Sequence, residues 1–368
     1  MDCIIPGHSI KPFCASIGCL SRIGKDLYID FDPIGGLRIR ALNDSKSVFG
    51  NFHYEPAFFT RCASISKPPT SRKRKKKKNA SHEEEEEEEE EEDDDDDEYS
   101  EQWTVCIAMK SLAAVVRARK DVLQLHMLTV GDHLAFEFQV ERMDSNGTVK
   151  VTHKVGYSPA GAMAAVAHTD GASELMVQPN VLSTMLEPLK RSSEIAILIN
   201  DHRRMISSVT FQHDDLPEEG PTSLSMRTKQ ASLKTETSVS YDELVDVHYV
   251  GHADDVSASM TQGIPPPSDM KEQMVLVFSL KEFKAFLQYC SHAFVDQELQ
   301  ASIQFFWGGK PMVVKTMGEN FNAELIMATL DHQLLRSDIM KVSPSSAPPT
   351  ETNSVITPGP ATAVRTSS

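Results

Sequence analysis

The chain of 368 residues is long enough for two domains with cores of their own, and its net charge of −16 excludes a general electrostatic attraction to nucleic acid. Most of that charge is local. Glu83 to Glu98 is an unbroken run of 16 acids and Arg72 to Lys78 an unbroken run of 7 bases, and taking both out of −16 leaves −7. Contact with nucleic acid must then rest on particular surfaces.

Four times along the chain an alternating strand is followed by a one-sided helix and a hairpin. The first unit reads as strand Cys3-Ile4-Ile5, a helix from about Ser9 to Arg22, and strands Leu27–Phe31 and Leu37–Leu42. The second is Trp103–Ala108, helix Met109–Arg119, and strands Leu134–Arg142 and Thr148–Val155. The third is Glu174–Gln178, helix Pro179–Lys190, and strands Glu194–Asn200 and Met205–Phe211. The fourth is Met274–Phe278, helix Leu280–Cys290, and strands Ala301–Trp307 and Met312–Thr316. A fold of repeated units, in the α+β class, is the expectation.

The helices rest on period. Ile10, Phe13, Ile17 and Leu20 fall on one stripe, as do Leu280, Phe283, Phe286, Leu287 and Cys290. Turn residues mark the hairpins: Asp32-Pro33 to Gly35-Gly36, Asp144 to Gly147, and Gly308-Gly309. Opposite the apolar stripes the helices carry bases: Lys11 and Arg22; Lys110, Arg117, Arg119 and Lys120; Lys190 and Arg191; Lys281 and Lys284. Such residues commonly do no more than solvate a helix. They recur on all four helices, with Glu187 and Asp121 among them, so these faces are only modestly positive.

Between the units lie segments of other composition. From about 66 to 101 the chain has almost no apolar residues and reads as a disordered insertion. Within it Arg72, Lys73, Arg74, Lys75, Lys76, Lys77 and Lys78 read as a nuclear localisation signal, the alternative being a counter-charge to the acidic run. The acidic run reads as a solvating or histone-attracting tract. Residues 156–172 are rich in small side chains and read as a connector, 212–230 and 251–268 as surface loops, and 337–368 as a Ser/Thr/Pro-rich tail in which Ser343 and Thr357 precede prolines as phosphorylation candidates.

Catalytic signals are missing. His248 and His252 stand four apart without a ligand set, Asp214-Asp215 and Asp254-Asp255 read as solvated pairs, and there is no phosphate-binding loop or nucleophile elbow. The six cysteines (Cys3, Cys14, Cys19, Cys62, Cys106, Cys290) have no CxxC spacing, which argues for reduced thiols. No apolar run approaches the ~18 residues of a membrane span, and no signal-peptide core opens the chain. A soluble, intracellular protein with no cofactor, no metal and no enzymatic centre is expected.

Local sequences add a family. The chain reads Leu20-Ser21-Arg22-Ile23-Gly24, Gly36-Leu37-Arg38-Ile39-Arg40, Leu42-Asn43-Asp44-Ser45-Lys46-Ser47, then Pro56 and Phe58-Phe59. Further along come Met109-Lys110-Ser111, Thr152-His153, Val177-Gln178-Pro179, Leu280-Lys281-Glu282-Phe283, Gly309-Lys310-Pro311 and Ala328-Thr329-Leu330. In order and spacing this resembles the Rad-nine type subunit of the heterotrimeric DNA-damage checkpoint clamp, a relative of the replicative sliding clamp PCNA. The resemblance covers roughly residues 1–60 and 103–331. Asp44 stands where the family usually has serine, Lys46 where it has arginine, and 337–368 lacks the family's acidic phosphoserine motif.

The resemblance implies a sliding-clamp fold with two similar domains (1–155 and 173–336), helices lining the inner face of a ring and antiparallel sheets outside. It implies a non-catalytic nuclear protein with two other clamp subunits, a clamp loader, duplex DNA, and checkpoint and repair proteins as partners. The ten helix bases named above would face the DNA. Clamps join through edge strands, for which the sheet following Arg117–Leu125 and the strand Met205–Phe211 are the candidates. The rival readings are a replicative homotrimeric clamp, an acidic nuclear histone-binding chaperone and, weakest, a nuclease.

Overall fold

The computed structural model describes residues 1–32, 34–63, 103–116, 121–142, 147–189, 194–200, 205–211, 234–248, 274–294 and 299–330. The charged insertion, the loops 212–230 and 251–268 and the tail therefore lie outside the described residues. Residues Met1–His332 form one compact unit.

Each of the four units is longer by one strand than its sequence suggests. The first comprises β1 (Asp2–Pro6), α1 (Gly7–Ile23), β2 (Asp26–Asp32), β3 (Gly36–Leu42) and β4 (Val48–Tyr54), followed by the short β5 (Arg61–Ala63). The second is β6 (Trp103–Ala108), α2 (Met109–Val115), β7 (Val122–Val130), β8 (His133–Glu141) and β9 (Thr148–Gly156), followed by β10 (Ser158–Pro159). The third is β11 (Ser173–Val177), α3 (Pro179–Met185), β12 (Glu194–Asn200), β13 (Met205–Phe211) and β14 (Lys234–Ser240), followed by β15 (Asp246–His248). The fourth is β16 (Met274–Ser279), α4 (Leu280–His292), β17 (Ala301–Phe305), β18 (Met312–Gly318) and β19 (Phe321–Met327). The repeat is thus strand, helix and a three-stranded meander, and the hairpin expected of each unit is two strands of that meander. The fourth helix and the strands of the first unit lie within two residues of their expected ends.

Two helices are shorter than expected. α3 stops at Met185 rather than Lys190: Leu186 donates to the Leu182 carbonyl at 2.9 Å and Glu187 to Thr184 at 3.2 Å, then Pro188 prevents a further turn. α2 stops at Val115 rather than Arg119, where two β-branched residues, Val115 and Val116, weaken the helix. Asp121 then takes a left-handed conformation (φ 63) before β7.

The first strand of each unit leaves its own sheet for that of its neighbour. β1 pairs with β7, in the sheet β5-β1-β7-β8-β9, while β6 pairs with β2. β16 pairs with β12 in the sheet β14-β13-β12-β16, while β11 pairs with β17. The first and second units are interlocked in this way, and so are the third and fourth. β4 and β19 then pair antiparallel along their full length, Val48 opposite Met327 and Tyr54 opposite Phe321. This seam closes a ten-stranded sheet, β10-β6-β2-β3-β4-β19-β18-β17-β11-β15.

One edge differs from expectation: β13 (Met205–Phe211) lies between β12 and β14. The sheet that follows Arg117–Leu125 ends in β9. Among the described residues the open ends of the two smaller sheets are β9 and β14, with β5 and β16 at their other ends.

The core lies between helices and sheets, centred on the seam. Phe13 (α1), Phe52 and Tyr54 (β4), Phe286 (α4) and Phe305 (β17) are all fully buried. Phe52 meets Tyr289 edge-on at 4.7 Å and Phe286 at 6.2 Å, and Tyr54 meets Phe13 at 5.5 Å. Tyr54 donates to Ser16 Oγ at 2.7 Å, and Ser16 to the Phe13 carbonyl at 2.7 Å, which satisfies the two buried hydroxyls. Gly50 on β4 lets α1 come close: a Cβ there would stand 2.7 Å from Leu20 and 2.8 Å from Ile23 side-chain carbons.

The outer face of the ten-stranded sheet is partly covered. Met163, Ala165 and Ala167 of the expected connector pack on Phe49, Val313 and Ile326, across the seam. Arg40 holds this covering. It pairs with Asp30 at 2.7 Å, both side chains about 10% exposed, and donates to the Met163 carbonyl. On the outer face of the five-stranded sheet a charge ladder crosses all five strands. Arg61 meets Asp2 at 2.9 Å, Asp2 meets His126 at 2.8 Å, His126 meets Glu137 at 3.3 Å and Lys150 meets Glu137 at 2.6 Å.

Candidate nucleic-acid interface

The helices form a row. α1 packs against α2 on one side and α4 on the other, and α3 packs against α4. α1 buries Ile10, Phe13, Ile17 and Leu20, and α4 buries Leu280, Phe283, Phe286 and Leu287, the stripes their sequences expect. Amphipathic helices laid on sheets by one stripe must present the other to solvent.

On α1 the solvent stripe is His8, Lys11, Gly18, Ser21 and Arg22, and it continues past the helix to Lys25. The steps of three and four residues keep these side chains on one face. On α4 the stripe is Lys281, Gln288, Ser291 and His292, with Lys284 half-buried. Arg22 donates to Gln288 Oε1, so the two stripes meet at the solvent side of the α1–α4 seam. α2 contributes Lys110, exposed beside Ser111 and Ala114. The structure thus brings Lys11, Arg22, Lys281 and Lys284 onto the two central helices and Lys110 onto the neighbouring one.

The row is not uniformly basic. The exposed residues of α3 and its following turn are Asn180, Ser183, Thr184, Glu187 and Pro188, so the described part of that helix carries no cation. Arg117, Arg119, Lys120, Lys190 and Arg191 lie outside the described residues, as do Arg72, Lys73, Arg74, Lys75, Lys76, Lys77, Lys78, Ser343 and Thr357.

The cations differ in their partners. Among the described residues Lys11, Lys110 and Lys281 have no carboxylate in pairing distance. Lys284 instead reaches the Leu189 carbonyl at 3.4 Å and ties α4 to the end of the α3 turn. The acid of α4 is turned away from this face: Glu282 is buried and accepts from Ser279 Oγ at the helix start, where a negative charge suits the helix dipole.

Sequence reasoning missed Lys25. It lies three residues beyond Arg22 and is among the most exposed bases of the stripe, with 78% of its side chain accessible. It pairs with Asp44 of the β3–β4 turn, whose carboxylate raises the lysine pKa. The signal was the spacing from Arg22, obscured because Gly24 ends the helix.

Among the described residues no group of three or more His, Cys, Asp or Glu side chains could hold a metal ion, and no helix is long and apolar enough to cross a membrane. What the row offers is a shallow surface of separated cations, suited to a polyanion held by its charge.

The family model described as Rad9 matches residues 13–330. Among solved structures, the chain is similar to PCNA of Thermococcus kodakaraensis at 11% identity, over 89% of this chain and 99% of that one, with a TM-score of 0.56. It is also similar to the PCNA2–PCNA3 complex of Sulfolobus tokodaii at 10% identity, over 89% of this chain and 99% of that chain, TM-score 0.54. PCNA of Entamoeba histolytica matches at 10% identity, over 89% and 98%, TM-score 0.53. At such identities the likeness establishes the fold, an α+β sliding clamp.

Proposed function

The chain belongs to the Rad9 family, and from that premise we propose that it is one non-catalytic segment of a heterotrimeric ring around duplex DNA. A clamp loader places that ring at damaged DNA, where it serves as a platform for checkpoint signalling and repair proteins. On this reading residues 1–155 and 173–336 are the two clamp domains, and the row of helices faces the phosphates without reading sequence.

The observation that carries the ring is the seam. β4 and β19 are the last strands of the first and fourth units, and they pair side by side. The last strands of the second and third units, β9 and β14, occupy corresponding places but, among the described residues, end their sheets. A β9 of one subunit beside a β14 of the next would repeat the β4–β19 arrangement between molecules. The two strands belong to different surfaces, so the contact is head-to-tail and closes into a ring when the rotation permits. Leaving ladder groups open on both edges is costly to solubility unless a partner covers them.

The isolated chain should sediment as a monomer and enter a ring with two different clamp-like chains. Co-purification from its own cells with two such chains is the expected result. A stable homotrimer of the pure protein in sedimentation equilibrium would point instead to a replicative-type clamp.

Nuclear import is proposed for the seven bases Arg72–Lys78. Replacing them by neutral residues should leave the melting temperature unchanged and move the protein to the cytoplasm. Persistence of the variant in the nucleus of cells lacking the ring partners removes the import role.

A further inference from the structure

Six free cysteines occupy unequal places. Cys14, Cys19 and Cys290 are buried in the helix layer, and burial pushes their thiols up, to about 12 for Cys14 and Cys290. Cys106 is half-buried on the outer face of β6, and burial raises it as well. These four have weak tendency to form the reactive thiolate.

Cys3 and Cys62 are different. They stand directly opposite each other on β1 and β5, with Sγ atoms 3.9 Å apart. Cys3 is fully buried, while Cys62 is half-buried on a three-residue strand at the edge of its sheet. The hydrogen bond between the two thiols holds the Cys62 pKa below the ordinary thiol value, while burial and Asp32 oppose the shift. Cys3 is pushed up by the same hydrogen bond and by burial. Cys62 is therefore the less buried and more readily ionised sulfur and Cys3 a neighbour within reach to resolve it, which is the pairing that redox-sensitive sites require.

We propose that Cys3 and Cys62 form an oxidation site that a peroxide closes into an intrachain disulfide. The Cys62 thiolate attacks one peroxide oxygen, the O–O bond breaks, and hydroxide leaves and takes up the proton that the Cys62 thiol had released, giving water, so that Cys62 becomes a sulfenic acid. The Cys3 sulfur then attacks Cys62 Sγ. The S–S bond forms, the S–O bond breaks, and the departing hydroxide takes the Cys3 proton as a second water. The two sulfurs together lose two electrons, and the peroxide gains them.

The geometry favours this step. Residues directly opposite in an antiparallel pair have Cα separations within the range a disulfide bridges. The sulfurs need to approach by only about 2 Å to reach bonding distance. Among the described residues β5 is paired on one side, by three residue pairs to β1, so the movement falls on a lightly held edge. Closure fixes β5 to β1 and anchors the chain immediately before the segment that carries the basic and acidic runs.

The test uses the full chain treated with hydrogen peroxide, blocked and digested without reduction for mass spectrometry. The expected product is a Cys3–Cys62 linked peptide, formed at least about tenfold faster than any oxidation of the half-buried Cys106 and reversed by dithiothreitol. In C3S, Cys62 should accumulate as a sulfenic acid trapped by dimedone, and C62S should yield no disulfide. The oxidised protein should melt a few degrees higher than the reduced one, because the bond closes a long loop. Oxidation of Cys62 no faster than Cys106, or a disulfide that joins Cys62 to another cysteine, overturns the proposal. If C3S does not fold, the rates of Cys62 and Cys106 in the unaltered chain decide it alone.

Discussion

Replacing Lys11, Lys110 and Lys281 together by glutamine should reduce the salt dependence of DNA binding while leaving the fold intact. Removing one lysine–phosphate pairing lowers the slope of log affinity against log salt by about 0.9, so the triple variant should show a slope smaller by about 2.7. The three are chosen because they are exposed and have no carboxylate partner among the described residues. Lys284 is left in place because its ammonium also holds the Leu189 carbonyl, and its removal would mix a stability effect with a binding effect. The measurement is anisotropy of a labelled duplex over a series of salt concentrations, with the melting temperature as control. An unchanged slope with normal melting means that these lysines only solvate their helices. Because a closed ring holds DNA by topology, loader-dependent recruitment should suffer more than retention on circular DNA after loading.

Truncation of Phe52 to alanine should have the largest effect on stability, a loss of about 3–5 kcal/mol. Phe52 is fully buried on β4, edge-on to Tyr289 and beside Phe286 of α4, so its ring joins the first unit to the fourth at the seam. A cavity there cannot be filled by a neighbour without moving β4 against β19 or lifting α4. Phe52→Leu, which restores most of the volume, should recover most of the loss. In contrast Met317→Ala, on a side chain 76% exposed, should stay within about 0.5 kcal/mol. Denaturant midpoints with an unchanged slope compare the three. A Phe52→Ala loss below about 1 kcal/mol would show that the seam relaxes freely and is not the centre of the core.

Local periodicity carried much of this protein. The stripes of α1 and α4 are buried as their 3.6-residue spacing requires, and their opposite faces are exposed, because side-chain direction along a helix follows from neighbours three and four residues away. The four-unit repeat and the α+β class follow from the same short-range signals. The final strand of the first unit was hidden by its own composition: Val48–Tyr54 carries Gly50, Asn51 and His53, and its fit comes from α1 lying against Gly50. α3 ended early for a local reason, Pro188, that the apolar pattern alone did not weigh.

The pairing of strands was decided only in three dimensions. Nothing near Asp2–Pro6 says that it pairs with Gln124–Leu128 of the next unit, or that Val48–Tyr54 finds Phe321–Met327. A strand's backbone groups fit any partner, and the choice is made by burying each inner face against the same helices. That choice put Met205–Phe211 inside its sheet and left β9 and β14 at the edges. It also set Cys3 opposite Cys62, which lie 59 residues apart in the chain. Local spacing set the repeat and the buried stripes of α1 and α4, because those depend on residues within one or two turns of each other. Tertiary structure alone decided the interlocking of units, the free edges and the sulfur pair, because those depend on which distant surfaces exclude water together.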